Sequence, residues 1–225
     1  MTRLDRKAWL ALALLAIVMG LLLFVTAGTT RYWQAWVYLA VFVGASLLTT
    51  MYLIAKDPAL LARRMRGGPT AEPETAQRVI MMFASLGFIA LLLVPALDRR
   101  FSWSTVPLYA VIAGEVLVAM GFYGIFLVYR ENTFSSATIE VATDQKVVAT
   151  GPYAIVRHPM YACASLYLFG TPLALGSYWG LLAFAGMLPV LIWRLLDEER
   201  LLAAKLPGYT DYQRRVPYRL VPLIW

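Results

Sequence analysis

Charge, histidine and cysteine are all scarce in this chain. Of its 225 residues, 15% are charged, one is His and one is Cys. A soluble domain carries about 25% charged residues, so this low share argues against a small water-facing globule. The single cysteine, Cys163, excludes an intrachain disulfide. It opens an apolar helix and is read as a packing residue with no chemistry. No metal centre is expected. Glycine-rich dinucleotide fingerprints, internal repeats and low-complexity tracts are also missing.

What is abundant is hydrophobic sequence, 60% of the chain. A helix crosses the hydrocarbon core with about 20 apolar residues. Ala8 to Thr26, Tyr32 to Ala55 and Val79 to Leu97 are uncharged runs of that kind, and Phe101 to Tyr129 contains only Glu115. Met160 to Trp193 is uncharged and too long for one leg. Gly176-Ser177-Tyr178-Trp179-Gly180 divides it with a turn. The expected fold is all-α: a polytopic membrane bundle of five to six transmembrane legs, the last two a tight helical hairpin. The first run resembles a signal peptide in its basic flank (Arg3, Arg6, Lys7), but its apolar stretch exceeds the usual 7–15 residues or so.

The net charge of +7 does not call for a nucleic acid, because of where the charge lies. Thread the legs with the N-terminus inside, and all of the 20 Lys and Arg except Arg31, Arg99 and Arg100 fall on the inner side. That is the positive-inside pattern, and it suits anionic lipid headgroups. Both termini are then cytoplasmic. So are a basic loop over residues 56–78 and a polar segment over 130–157. Asp57-Pro58 reads as an N-cap followed by proline at the first helical position. It predicts a short basic helix from Pro58 to Arg66, lying along the membrane surface and stopped by Gly67-Gly68-Pro69.

Three polar clusters on this inner side are candidates for chemistry. In Gly151 to Tyr161, the residue before Pro159 avoids helical angles, so His158 should be the boundary and Pro159 the first helical residue. The free amides of Met160 and Tyr161, with Arg157 and His158 beside them, would form an anion socket walled by Tyr153 and Tyr161. The plainer alternative is an interfacial belt of polar aromatics. The second cluster, Arg194, Asp197, Glu198 and Glu199, follows an apolar leg, where acids oppose the helix dipole. It shares a side of the membrane with the socket, and together they suit a zwitterionic or cationic ligand. The alternative is a weak Arg194–Glu198 pair one turn apart. The third cluster runs from Arg130 to about Thr150. Thr138 to Val141 and Lys146 to Ala149 flank Thr143-Asp144-Gln145 there, as a small hairpin or an irregular lid. Glu115, alone inside the fourth leg, is either a structural hydrogen-bonding group or part of a substrate path.

GPYAIVRHPMY, then a hydrophobic hairpin, then Arg194-x-x-x-Glu198-Glu199, Tyr209-x-x-Tyr212 and Val216-Pro217, resembles the isoprenylcysteine carboxyl methyltransferase family of membrane enzymes. The likeness to phospholipid N-methyltransferases is looser. It covers about residues 130–217. The resemblance implies N-terminal transmembrane helices over residues 1–129 and a catalytic region over 130–225 with a cytoplasmic cofactor pocket. It implies S-adenosylmethionine as cofactor, held by Tyr153, His158, Pro159, Met160, Tyr161 and Glu198, and through the main chain by Gln145, Lys146, Val147 and Val148. Arg194 and Glu198 would be the catalytic pair, with Arg194 holding the substrate carboxylate.

The implied substrate is a lipophilic or prenylated molecule entering from the bilayer. A carboxylate acceptor needs no base at neutral pH. An amine acceptor needs one, for which His158 or Glu199 are candidates. The rival enzyme class is a membrane reductase using NADPH, whose C-terminal segments share this style.

Overall fold

The computed structural model describes residues 2–72, 74–139 and 144–225. Helices α1 (Arg3–Ala27), α2 (Trp33–Lys56), α3 (Pro58–Arg64), α4 (Thr75–Phe101), α5 (Leu108–Glu131), α6 (Pro159–Ala174), α7 (Gly180–Lys205) and α8 (Tyr209–Arg215) follow in order. No strand occurs among the described residues. The five helices α1, α2, α4, α5 and α7 are long and apolar enough to cross a membrane. α6 has 16 residues, about 24 Å at the helical rise, and is the short leg. The outer surface agrees with this reading. Leu10, Leu14, Leu48, Leu86 and Leu182 are each at least 60% exposed. A soluble monomer does not show that much contiguous apolar surface.

Several boundaries follow from local chemistry. Asp57 caps α3 with its side chain on the Leu60 amide, and Pro58 is the first helical residue. His158 is the boundary residue of α6, and Pro159 follows it. α6 ends at Ala174 and α7 begins at Gly180, with Gly176 at φ +71 in the turn between them. That turn is fastened at the end of the bundle remote from α3. The Ser177 hydroxyl donates to Asp98 at 2.5 Å, Ser104 donates to the same carboxylate, and the Tyr32 hydroxyl donates to the Leu175 carbonyl.

α5 and α6 pack backbone to backbone. A Cβ on Gly114 would lie 2.3 Å from the Ala174 nitrogen, and one on Gly170 would lie 2.7 Å from the Gly114 oxygen. Small residues allow this approach, which maximises dispersion where no hydrophobic force joins helices in lipid. Cys163 fills the notch at Gly124, where an added Cβ would meet its sulfur. Packing therefore accounts for it.

Leu60 and Leu61 of α3 are buried against Ala8 and Leu53, so the apolar face of this short helix packs on the bundle. One expectation is corrected. The acidic run does not sit at a helix end. α7 continues to Lys205, so Asp197, Glu198 and Glu199 are interior and their fate is set by partners rather than by the dipole. Glu115 does not line the cavity described below, and among the described residues neither of its buried carboxyl oxygens has a hydrogen-bond partner. The hairpin reading at Thr138 to Ala149 falls partly on residues 140–143, outside the described residues. Those described on either side of it form no strand.

Candidate active site

A cavity of about 620 Å³ opens where α4, α5, α6 and α7 meet the polar segments at one end of the bundle. Ligand sites span roughly 300–1,000 Å³. Gln145, Lys146, Val147, Val148, Tyr153, His158, Pro159, Met160, Tyr161, Arg194 and Glu198 all line it. The start of α6 and the acidic stretch of α7 therefore face each other across one space. They touch directly: the Tyr161 hydroxyl donates to Glu198 Oε2 at 2.6 Å.

The cavity has two unlike ends. Its polar end holds the first turn of α6, Glu198 and the two tyrosines Tyr153 and Tyr209. Its other end is apolar, formed by Met81, Ala84, Phe88 and Ile89 of α4 and Met187 and Leu191 of α7. Arg194 stands on α7 between the two, one turn after Leu191 and one turn before Glu198.

Arg157 is not a free donor to the socket. Its Nε donates to Glu199 Oε1 at 2.7 Å, and its Nη1 donates to the carbonyls of Val216 and Pro217 at 2.9 Å. Glu199 Oε2 accepts from Arg219 Nε at 2.8 Å. The backbone amides of Arg157 and His158 donate to Tyr218 and Arg219 carbonyls. Arg157 and Glu199 thus strap the 216–219 segment onto the start of α6. Glu199, held between two guanidinium groups, is the wrong group for a base, which corrects that expectation. His158 Nε2 lies 3.3 Å from Glu199 Oε1, a buried contact outside hydrogen-bonding geometry, and makes no hydrogen bond among the described residues.

Arg194 does not pair with Glu198. Its Nη2 donates to Glu72 Oε1 at 2.8 Å and to the Ala137 carbonyl at 2.9 Å, and its Nη1 donates to Gln77 Oε1 at 3.0 Å. Glu72 and Gln77 come from the segment before α4 and from its first turn, and each is 1% exposed. Nothing in the sequence singled them out. Neighbouring contacts fasten the 133–139 segment over the cavity. Arg64 Nη1 donates to the Ser136 carbonyl at 2.8 Å, Arg63 donates to Thr133, and the Ile139 amide donates to Glu72 Oε2 at 3.2 Å. The N-terminal legs therefore contribute to the site as well as anchoring it.

The tyrosines at the polar end are neutral donors. Burial pushes the Tyr153 phenol up to about 12, partly offset by the hydrogen bond it accepts from Asn132. Burial also pushes Tyr209 and Tyr212 well up. Tyr212 donates to the Tyr153 carbonyl at 2.7 Å, whereas the buried Tyr209 hydroxyl has no hydrogen-bond partner among the described residues.

S-adenosylmethionine fits these residues. It is a zwitterionic amino acid joined through a sulfonium to a nucleoside. The polar end offers what that needs: first-turn amides of α6 that no side chain caps, a Glu198 carboxylate bonded to a phenol, and buried polar atoms on His158 and Tyr209 that make no hydrogen bond among the described residues.

Residues 109–206 match the family model described as phospholipid methyltransferase. Among curated proteins, the chain is 32% identical over 107 residues to the cobalt-zinc-cadmium resistance protein CzcN of Cupriavidus metallidurans, covering 45% of this chain and 48% of that protein. It is 30% identical over 106 residues to the nickel-cobalt-cadmium resistance protein NccN of Alcaligenes xylosoxydans xylosoxydans, with the same coverage. The chain spans about half the length of these relatives. The family match covers α5 to α7 and supports an integral membrane methyltransferase, the coarser of the classes to which the motifs point.

Proposed function

We propose that the protein is a multi-pass membrane methyltransferase that uses S-adenosylmethionine to methylate the headgroup of a lipid-like amphiphile. The observation that carries this is the two-ended cavity, in which a polar donor site and an apolar arm between α4 and α7 meet at Arg194 and Glu198. The distribution of basic residues supports a cytoplasmic polar end, with both ends of the chain on that face.

When bound, the sulfonium supplies an activated methyl group. The chain's own residues do the positioning. The first turn of α6 and His158 receive the donor's carboxylate. Glu198 receives its cationic or hydroxyl groups, and Tyr161 holds Glu198 in place. Gln145 to Val148 form one wall beside it. The apolar arm takes the acceptor's chain, so that its headgroup stops beside Arg194. Holding two reactants in line accounts for roughly 7–11 kcal/mol of a barrier, without covalent help from the protein.

A carboxylate acceptor of the isoprenylcysteine kind requires Arg194 to exchange Glu72 for the substrate. An amine acceptor requires no such exchange.

Calorimetry on the purified chain in lipid nanodiscs tests the reading. S-adenosylmethionine should bind and NADPH should not; the reverse result replaces the methyltransferase with a reductase. Ala84→Trp tests the acceptor arm. It should leave donor binding intact and abolish methyl transfer to extracted membrane lipids, whereas loss of donor binding would show that the two ends are not separate.

A further inference from the structure

After α8 the chain closes a small turn between Arg219 and Trp225. The amides of Arg219, Leu220 and Val221 all donate to the Trp225 carbonyl, at 2.9, 3.0 and 3.1 Å. The Arg219 guanidinium lies 5.2 Å from the centre of the Trp225 ring. The turn is therefore shaped by its own contacts. Its tip is apolar and bare: Leu223 is 84% exposed, Ile224 79% and Val221 46%. Apolar residues scattered singly over a surface are ordinary, but these three crowd into one fastened turn and form a patch.

The turn is held at a definite depth along the bundle. Arg219 Nε donates to Glu199 Oε2 at 2.8 Å. The Tyr218 and Arg219 carbonyls accept from the amides of Arg157 and His158 at 2.9 and 3.0 Å. Glu199 marks the level at which the apolar outer face of α7 ends. Ile192, Trp193 and Leu196 are exposed apolar residues on that helix, and the next exposed residue is the cation Arg200. Leu196 and Glu199 are about 4.5 Å apart along the axis. α6 begins at the same level, since His158 Nε2 lies 3.3 Å from Glu199. The turn thus sits where hydrocarbon gives way to headgroups. Trp and Arg side chains suit that layer, each with an apolar body and a polar end.

We propose that this turn is a lipid anchor separate from the membrane-spanning helices: Val221, Leu223 and Ile224 insert into the bilayer that the helices cross, and residues 218–219 carry that attachment to the start of α6. The partner is the lipid surface itself. No acceptor or methyl donor takes part, because none of residues 217–225 lines the cavity. The two carbonyls that hold the backbone of Arg157 and His158 belong to the anchored segment, so insertion steadies the polar end of the cavity from outside. The inference rests on the helices crossing a membrane and not on the reaction.

Spin labelling of the full chain in phosphatidylcholine nanodiscs tests the insertion. Cys163→Ser removes the chain's one thiol. Leu223→Cys, Ile224→Cys and, as an exposed control on α8, Thr210→Cys then each take a nitroxide. Labels at 223 and 224 should relax faster with oxygen, which concentrates in hydrocarbon, than with a water-soluble nickel chelate. The label at 210 should show the reverse. Labels at 223 and 224 that follow 210 place the turn in water and overturn the proposal. Shielding from both reagents also overturns it, because protein then covers the tip. Hydrogen exchange tests the brace. In Leu223→Asp/Ile224→Asp the amides of Arg157 and His158 should exchange about tenfold faster, while the central amides of α5 keep their wild-type protection. Unchanged exchange at 157–158 overturns the brace. If the charged variant loses protection in α5 as well, it has not folded, and the labels, which need no charged substitution, decide the proposal.

Discussion

Arg157 and Glu199 meet at 2.7 Å with 6% and 7% of their side chains exposed, and this one contact ties three distant pieces of chain together. Through it the start of α6, the middle of α7 and the 216–219 segment become one unit, which also carries Arg219. The arginine of the Arg157-His158-Pro159 motif thus serves the site by building it. Glu199→Gln would leave two guanidinium groups facing one neutral amide. We expect a loss of about 3–5 kcal/mol of stability, as for other broken buried pairs. Thermal unfolding of the nanodisc-embedded chain measures it. Arg157→Ala/Glu199→Ala together should cost less than the sum of the two single changes, because the partners share one network.

Glu198 has a different role: it lines the cavity and accepts a hydrogen bond there from the Tyr161 phenol. Glu198→Gln should therefore leave the melting temperature near wild type while weakening S-adenosylmethionine about 10- to 100-fold, the loss of a charged hydrogen-bond partner worth roughly 1–3 kcal/mol. Tyr161→Phe should weaken it less, because the carboxylate stays. Calorimetry ranks the two, and a larger effect from Tyr161→Phe would reverse the assigned roles.

The α5–α6 seam predicts a contrast among glycines. Gly114→Ala places a methyl against backbone at 2.3 Å, which cannot move without parting the helices. It should cost at least the 1–3 kcal/mol or so of an overpacked core. Gly20→Ala meets nothing within 4 Å and should be neutral or stabilising by about 0.5–1 kcal/mol through helix propensity. Melting temperatures of the two variants side by side check this.

Stability should also fall in strong base. The Tyr153 phenol titrates near 10 in the unfolded chain and at about 12 when folded, burial being the main cause. A folded value above the unfolded one means that the native state holds its proton more tightly. Its contribution is complete below pH 10 and is lost as the pH rises through 12. Tyr153→Phe should flatten part of that slope in melting curves between pH 9 and 12. Tyr209 and Tyr212, raised in the same direction, should retain the rest.

Local signals in the sequence were legible where one residue decides the outcome by its own chemistry. Asp57-Pro58 opens a helix, Pro159 makes His158 a boundary, and Gly176 turns a hairpin. The motif residues Tyr153, His158, Tyr161 and Glu198 also prove to share one cavity. The partners of the charges were not legible. Spacing on one helix suggested that Arg194 meets Glu198, one turn away. The side chain instead reaches Glu72, because Glu198 faces the Tyr161 phenol and the segment before α4 carries a carboxylate to the back of the guanidinium. The short helix at Pro58 gave a sign of amphipathy but none of which surface its leucines would choose.

By itself the sequence determined that the chain is a bundle of apolar helices and where several of them begin and turn. Those properties depend on hydrophobic length and on proline and glycine geometry, which act within a few residues. Only the tertiary structure decided which buried charges cancel. The Arg157–Glu199 and Arg194–Glu72 contacts join residues 42 and 122 positions apart. A buried charge is bound by whatever the packing of helices brings within about 3 Å of it, and no spacing along the chain records that distance.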